Sequence, residues 1–281
     1  MCGIIGISCP LDQSNTELLA EVENGVVPED PWLTDLDKAL FALAHRGPDD
    51  SGVFISLGSG IGLGHCRLSI LDPSPMANQP MISDDGQVVL VFNGEIYNFK
   101  ELRAGLEASG YQFCSESDTE VLLKLYLRDG EAMLSSLNGV FAFAIWDGSQ
   151  KRMLLARDAL GVKPLYYSEF GGRFSFSSEI RALRRLLPAS GALDYAALHR
   201  YMSFLYCPGE GTPHADVRKL APGSALWVSE GVVQQIFNWY KLPVFRPVAV
   251  RMSERDAIKG TDYHLRKAVH RQMVSDVPVG A

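Results

Sequence analysis

The sequence predicts a layered α+β fold, and three observations lead there. Short β-rich runs dominate the first two thirds of the chain, and they outnumber the helical patterns. Several of the runs are continuously apolar, as strands covered on both faces are. With 281 residues, 47% of them hydrophobic, the chain can bury a core of the size that such layers need.

Taken in order, strands are expected at 3–8 (GIIGIS), 53–56 (VFIS), 63–70 (LGHCRLSI), 87–92 (QVVLVF), 140–146 (VFAFAIW), 153–156 (MLLA) and 173–177 (RFSFS). Leu102 and Leu106 mark a helix over 99–109, Val121, Leu122 and Leu125 a second over 118–128, and Ile180, Leu183 and Leu187 a third. Segment 9–35, with Pro10, Asn15, Asn24, Gly25, Pro28 and Pro31 among many acids, reads as an irregular insertion without chemistry. Beyond residue 207 the texture loosens into Pro- and Gly-rich turns. A helix over 253–274 follows, with Ile258, Leu265, Val269 and Met273 on one face.

Charge and composition exclude several functions. Lys and Arg total 26 against 33 Asp and Glu, a net charge of −7 that disfavours nucleic acid or an anionic membrane surface as partner. No apolar run approaches the ~20 residues of a membrane span, and the N-terminus lacks the basic start of a signal peptide. Cys2, Cys9, Cys66, Cys114 and Cys207 are odd in number and scattered, which fits a reducing, cytoplasmic compartment. The six histidines form no HxxxH or HExxH pair, so no metal is expected. GSGIGLG at 58–64 lacks the spacing and the Lys-Ser/Thr of a phosphate loop and reads as a strand-joining turn.

Chemistry starts at Cys2. If Met1 is removed, one residue carries a thiol and a free α-amine, whose reference pKa near ~7.7–8.0 lets it take the thiol proton. The competing reading is a small buried thiol in a first strand. HRGPDD at 45–50 reads as a turn with surface charges. Arg67 falls in an apolar strand and needs an anionic partner, either a substrate carboxylate or an internal salt bridge. Asn93-Gly94 is either a tight turn or a pair of donors to an oxyanion, and Glu95 beyond it could hold an ammonium group. Ser117 and Glu120 have capping-box spacing, which leaves Asp118 free to face a cleft.

In this order, MCGIIGI, HRGPDD, RLSI, NGEIYN and SDTE resemble the glutamine-hydrolysing domain of the asparagine synthetase family, a class II glutamine amidotransferase with an N-terminal nucleophile. The resemblance continues through GVFAFAIWD (139–147), LLARDALGVKPLYY (154–167), FSFSSEIRAL (174–183), KLAPG (219–223) and NWYKLP (238–243). It implies a four-layer αββα sandwich of the N-terminal-nucleophile hydrolase type over 2–237. It further implies a linker and the first helical part of an incomplete synthetase domain over 238–281, SDVPVGA standing where the family continues into a pyrophosphate-binding loop.

By motif match, Cys2 is the nucleophile, and Asn93 with the N–H of Gly94 forms the oxyanion hole. Arg67 clasps the α-carboxylate of L-glutamine, helped by the backbone of Leu68, Ser69, Ile70 and Leu71, while Glu95 and Asp118 hold its α-ammonium. The implied reaction yields glutamate and ammonia without a cofactor; ATP and Mg belong to the synthetase domain, where ammonia converts aspartate to asparagine. A homodimer is a further expectation. Two other readings stay open, an amidotransferase serving an acceptor in surface-polysaccharide or secondary-metabolite chemistry, and a catalytically silent binding module. The joint presence of Cys2, Arg67, Asn93, Gly94, Glu95 and Asp118 weighs against the last.

Overall fold

A computed structural model describes residues 1–10, 31–188, 191–243 and 252–278. In chain order its strands are β1 (Gly3–Ser8), β2 (Asp50–Ser56), β3 (Ile61–Arg67), β4 (Met81–Ile82), β5 (Val88–Ile96), β6 (Gly139–Asp147), β7 (Arg152–Arg157), β8 (Tyr166–Phe170), β9 (Arg173–Ser177), β10 (Arg218–Lys219), β11 (Ser224–Ser229) and β12 (Val232–Asn238). The helices are α1 (Pro31–Phe41), α2 (Phe99–Ala108), α3 (Asp118–Asp129), α4 (Ile180–Leu183), α5 (Tyr195–Phe204) and α6 (Glu254–Gln272). Two six-stranded sheets form, in the orders β10-β8-β9-β1-β3-β2 and β12-β11-β7-β6-β5-β4.

The strand period of two sorts apolar residues into layers. In β5, Val89 and Val91 point between the sheets to meet Ile4, Leu63, Ala142, Phe174 and Phe176. Val88, Leu90 and Phe92 point the other way, onto Leu106 of α2 and Val121, Leu122 and Leu125 of α3. On the far side of the first sheet, Leu36, Ala39 and Leu40 of α1 cover Ile5 and Cys66 together with Ala182 of α4. The result is the four-layer αββα sandwich that the resemblance implied.

Strands β1 and β9 lie where the sequence places them, but β3 stops at Arg67, so Leu68, Ser69 and Ile70 leave the sheet. Asn93-Gly94 is not a turn: β5 runs on to Ile96, with Asn93 opposite Ala142 and Gly94 opposite Phe141. Helix α1 starts inside the segment read as irregular, whose residues 11–30 lie outside the described ones.

The region after 207 holds the β11–β12 hairpin, which a Pro- and Gly-rich reading misses. Its two-residue turn, Glu230 (φ 52°) and Gly231 (φ 76°), closes the Ser229–Val232 pair with the double positive φ of a primed turn, without the usual Asn-Gly signal. Helix α5 also escaped the sequence reading, although Asp194 caps it by accepting from the Ala197 N–H at 2.9 Å. Helix α6 forms where periodicity puts it and buries none of its residues, leaving Leu265 63% and Val269 50% exposed. Among the described residues no helix is long and apolar enough to cross a membrane.

The inner layer is tightest where β1 crosses between its neighbours. A Cβ on Gly6 would stand 2.4 Å from the Phe176 ring and 2.8 Å from Leu63 Cδ2. Gly6→Ala is therefore expected to overpack this layer and cost about 1–3 kcal/mol, read as a lowered midpoint in urea; an unchanged midpoint would mean that the layer yields freely.

Candidate active site

Cys2 sits one residue before β1 and is half-buried, and a brace fixes its position. Arg46 Nε donates to the Cys2 carbonyl at 2.9 Å, and the same guanidinium pairs with Glu179 at 3.0 Å. The Leu68 N–H lies 3.4 Å from Cys2 Sγ and donates to it. HRGPDD, read as a surface loop, is this brace. Gly47 packs so closely that a Cβ there would meet the Cys66 carbonyl at 2.4 Å. The Asp49 N–H bonds the Arg67 carbonyl at 3.0 Å, and the Asp49 carboxylate accepts from the Ser69 N–H at 2.8 Å. Burial pushes the Cys2 thiol up, against the pull of the Leu68 N–H, and burial pushes the Met1 α-amine down.

Arg67 is 5% exposed, yet its partners among the described residues are neutral. Its Nη1 donates to the Ser74 carbonyl at 2.9 Å and to Asn78 Oδ1, and its Nη2 donates to the Asp72 carbonyl. The internal salt bridge left open by the sequence is not formed. Three dipoles orient the guanidinium, and among the described residues no carboxylate pairs with it directly, the Asp72 carboxylate acting on it through space alone, which favours an anionic ligand beside it.

The opposite wall is the edge of β5. Backbone N–H groups of residues two apart leave a strand on the same side. Phe92 and Ile96 donate on this edge, to Gln79 Oε1 at 2.6 Å and to Asp118 Oδ2 at 2.9 Å. The Gly94 N–H leaves the same edge between them, toward the cavity. No side chain fits at Gly94, because a Cβ would stand 2.3 Å from the Val140 carbonyl. Asn93 follows Val89 and Val91 on the face between the sheets; it is 1% exposed, and among the described residues neither its Oδ1 nor its Nδ2 has a partner. A buried amide with both ends unpaired is costly alone and ready for a polar ligand.

Two carboxyls complete the wall. Ser117 caps α3 by accepting from the Glu120 N–H at 3.3 Å. Glu120 does not reach back to Ser117, and instead accepts from the N–H groups of Cys114 and Ser115. Asp118, the first residue of α3, is 4% exposed. Burial pushes it up to about 7, against the Ile96 N–H, with the charge of Glu95 adding to the rise. Burial raises Glu95 as well, while Lys163 draws it down.

One cavity is lined by Cys2, Arg67, Leu68, Ile70, Leu71, Asn93, Gly94, Glu95 and Asp118. Of the residues expected from sequence, Ser69 alone does not line it, its N–H being held by Asp49. Among the described residues no group of three or more His, Cys, Asp or Glu could hold a metal ion.

Residues 1–240 match the family model described as a glutamine amidotransferase domain. The chain belongs to that family. It is 36% identical to an asparagine synthetase (glutamine-hydrolysing) of Bacillus subtilis, over all of this chain and 41% of that protein. It is 33% identical to a putative asparagine synthetase of Methanocaldococcus jannaschii over 88% of this chain and 50% of that one. A protein named amidase chry2 of Gibberella zeae is 31% identical over 99% of this chain and 40% of its own length. The chain thus spans between two fifths and half of these relatives. In fold it is similar to the glutamine phosphoribosylpyrophosphate amidotransferase of B. subtilis, with a TM-score of 0.59 and 21% identity over 85% of this chain and 49% of that one.

Among the lining residues that sequence reasoning missed in this amidotransferase domain, Gln79, Thr119 and Lys163 carry polar side chains. Lys163 had a signal in the RDALGVKP stretch. Asp158, 1% exposed, accepts from the N–H groups of Leu160, Val162 and Lys163 at 3.1, 2.9 and 2.9 Å, which coils the loop and delivers Lys163 to the cavity. Gln79 had no local signal, since its task is to cap a strand edge that only the tertiary fold exposes.

Asp118 also makes stability depend on pH. Its folded value near 7 lies above the unfolded carboxylate value, so its stabilising contribution is fully present below the unfolded value and is lost as pH rises through about 7. Asp118→Asn is expected to gain on the order of 2 kcal/mol relative to the parent between about pH 5 and about pH 8. Urea midpoints at the two pH values check this, and parallel curves would place the titration elsewhere.

Proposed function

We propose that the domain hydrolyses L-glutamine to glutamate and ammonia, with Cys2, freed of Met1, as nucleophile. One observation carries the reading: a thiol, an unpaired buried amide and a strand-edge N–H share one cavity with a guanidinium that no carboxylate pairs with among the described residues. These are the groups that an acyl transfer on an amide bearing an α-carboxylate requires.

The free α-amine of Cys2 takes the thiol proton, and the thiolate attacks the side-chain carbonyl carbon of glutamine. Asn93 Nδ2 and the Gly94 N–H donate to the oxygen as it becomes an oxyanion. The ammonium of Cys2 returns its proton to the leaving nitrogen, ammonia departs, and water hydrolyses the γ-glutamyl thioester to glutamate. Arg67 clasps the α-carboxylate, with Leu68, Ile70 and Leu71 as the wall around it, and Ser69 holds that wall to Asp49. Glu95 and Asp118 take the α-ammonium. Binding a cation there draws the proton off Asp118, because an adjacent positive charge favours the carboxylate.

By the names of its relatives the ammonia would serve asparagine synthesis, which we read as an ATP-dependent conversion of aspartate on a further domain. Residues 2–237 would form the glutaminase unit, and 238–281 a linker and the start of the synthetase unit; that α6 buries none of its residues supports that division. The second reading is an amidotransferase serving another acceptor: one relative similar over nearly the whole chain carries the name amidase rather than asparagine synthetase.

Kinetics on the processed chain test the assignment. Cys2→Ala is expected to abolish glutamate release while leaving the thermal transition in place. Asn93→Ala is expected to lower kcat about 10²–10³-fold, and Arg67→Lys to raise KM for glutamine, because a point charge cannot reproduce a bidentate grip. Retained activity in the Cys2 variant would require a different nucleophile.

A further inference from the structure

The loop that walls the carboxylate end of the cavity is held by residues from the far end of the chain. After α6, Val274 packs against the apolar cluster that Leu71 also joins. The Asp276 N–H then donates to the Ile70 carbonyl at 3.1 Å, and the Asp72 N–H donates to Asp276 Oδ2 at 2.8 Å. Ser275 Oγ adds a long contact to the Ile70 carbonyl at 3.5 Å. One residue thus grips the loop at two backbone groups, on either side of Leu71.

What it grips is the support of Arg67. Asp72 has φ 43°, a left-handed conformation uncommon outside glycine. Three bonds hold it there. Its carboxylate accepts from the N–H groups of Ser74 at 3.1 Å and Glu116 at 2.8 Å, and its own N–H goes to Asp276. The Asp72 carbonyl, set by that conformation, accepts from Arg67 Nη2, and the Ser74 carbonyl accepts from Nη1. A chain of four groups therefore runs from Asp276 through the Asp72 backbone to the guanidinium that faces the cavity.

We infer that Asp276 is a positioning residue for the substrate carboxylate: by clamping Ile70 and Asp72 it sets where the Arg67 guanidinium stands, so the segment after α6 tunes glutamine affinity. The inference deepens the functional reading above and rests on it. The unit proposed to consume ammonia would then share a residue with the pocket that binds the ammonia donor. A displacement of segment 274–277 would loosen the grip on glutamine without touching the thiol.

The test measures KM and kcat for glutamine, and the thermal midpoint, for the parent, Asp276→Ala, Asp276→Asn and Arg67→Lys, and for Asp276→Ala combined with Arg67→Lys, on chains whose loss of Met1 is verified by mass spectrometry. Asp276→Ala is expected to raise KM about tenfold with kcat within about twofold, and to leave Tm within about 2 °C. Asp276→Asn keeps an acceptor for the Asp72 N–H and is expected to restore KM to within about twofold of the parent. In the Arg67→Lys background the alanine effect should shrink to less than about twofold, because both changes act on one contact. A parent KM in the alanine variant overturns the inference, and so does a raised KM that the asparagine variant fails to restore or that adds fully to Arg67→Lys. A parent chain that releases no glutamate overturns the functional reading itself, and the inference with it.

Discussion

The site depends on a strand that runs past its neighbour. β4 is two residues long and pairs only with Val89 and Leu90, so the outer edge of β5 is bare from Phe92 onward. Bare backbone donors inside a protein must find acceptors. Gln79 and Asp118 are recruited to that edge by this need, and the gap between them is where the Gly94 N–H points. The Phe92 carbonyl on the same edge is taken by His65 Nε2 at 3.1 Å, from a histidine wholly buried between the sheets and depressed by that burial to about 3. A neutral imidazole thus ties the strand that ends in Arg67 to the strand that carries Asn93. The cavity is what remains when a sheet edge is covered everywhere but at one amide.

Charge in the cavity is arranged to be incomplete. Arg67 is oriented by carbonyls rather than neutralised by a carboxylate, while Glu95 and Asp118 crowd each other and rise on burial. The two ends of the pocket carry unlike charge, the Arg67 guanidinium with no ion pair among the described residues at one and two crowded acids, eased in part by Lys163, at the other. A zwitterion with a carboxylate and an ammonium on one carbon relieves both at once. On the functional reading proposed above, the groups that cost the fold stability here would be the ones that select the ligand, the usual trade between stability and function at a binding site.

The fold class was legible in local pattern, whereas the residues expected at the site came from the family resemblance that their motifs carry. β1 announces itself as an apolar run and β9 by alternation, Cys2 stands out by its position and Arg67 by the apolar strand around it, and Asp118 is what a capping box leaves over. Asn93-Gly94 was ambiguous because the pair is also the commonest hairpin turn, and only the register against Ala142 and Phe141 separates the two. HRGPDD looked like surface charge because the groups that Arg46 and Asp49 grip, at Cys2, Arg67 and Ser69, are backbone atoms distant in sequence. The neutral partners of Arg67, at Asp72, Ser74 and Asn78, lie close in sequence but are chosen by a left-handed turn at Asp72 that no residue type there demands.

The Arg46 grip on the Cys2 carbonyl has a thermodynamic meaning. Chain ends are ordinarily the least ordered part of a domain, and a reactive group placed on one would lose much motional freedom each time a substrate had to be met in a fixed geometry. Here the last backbone group before β1 is pinned by a guanidinium that is itself anchored by Glu179. With Cys2 as the nucleophile proposed above, the freedom of the terminus would be surrendered once, during folding, leaving none to lose at each encounter.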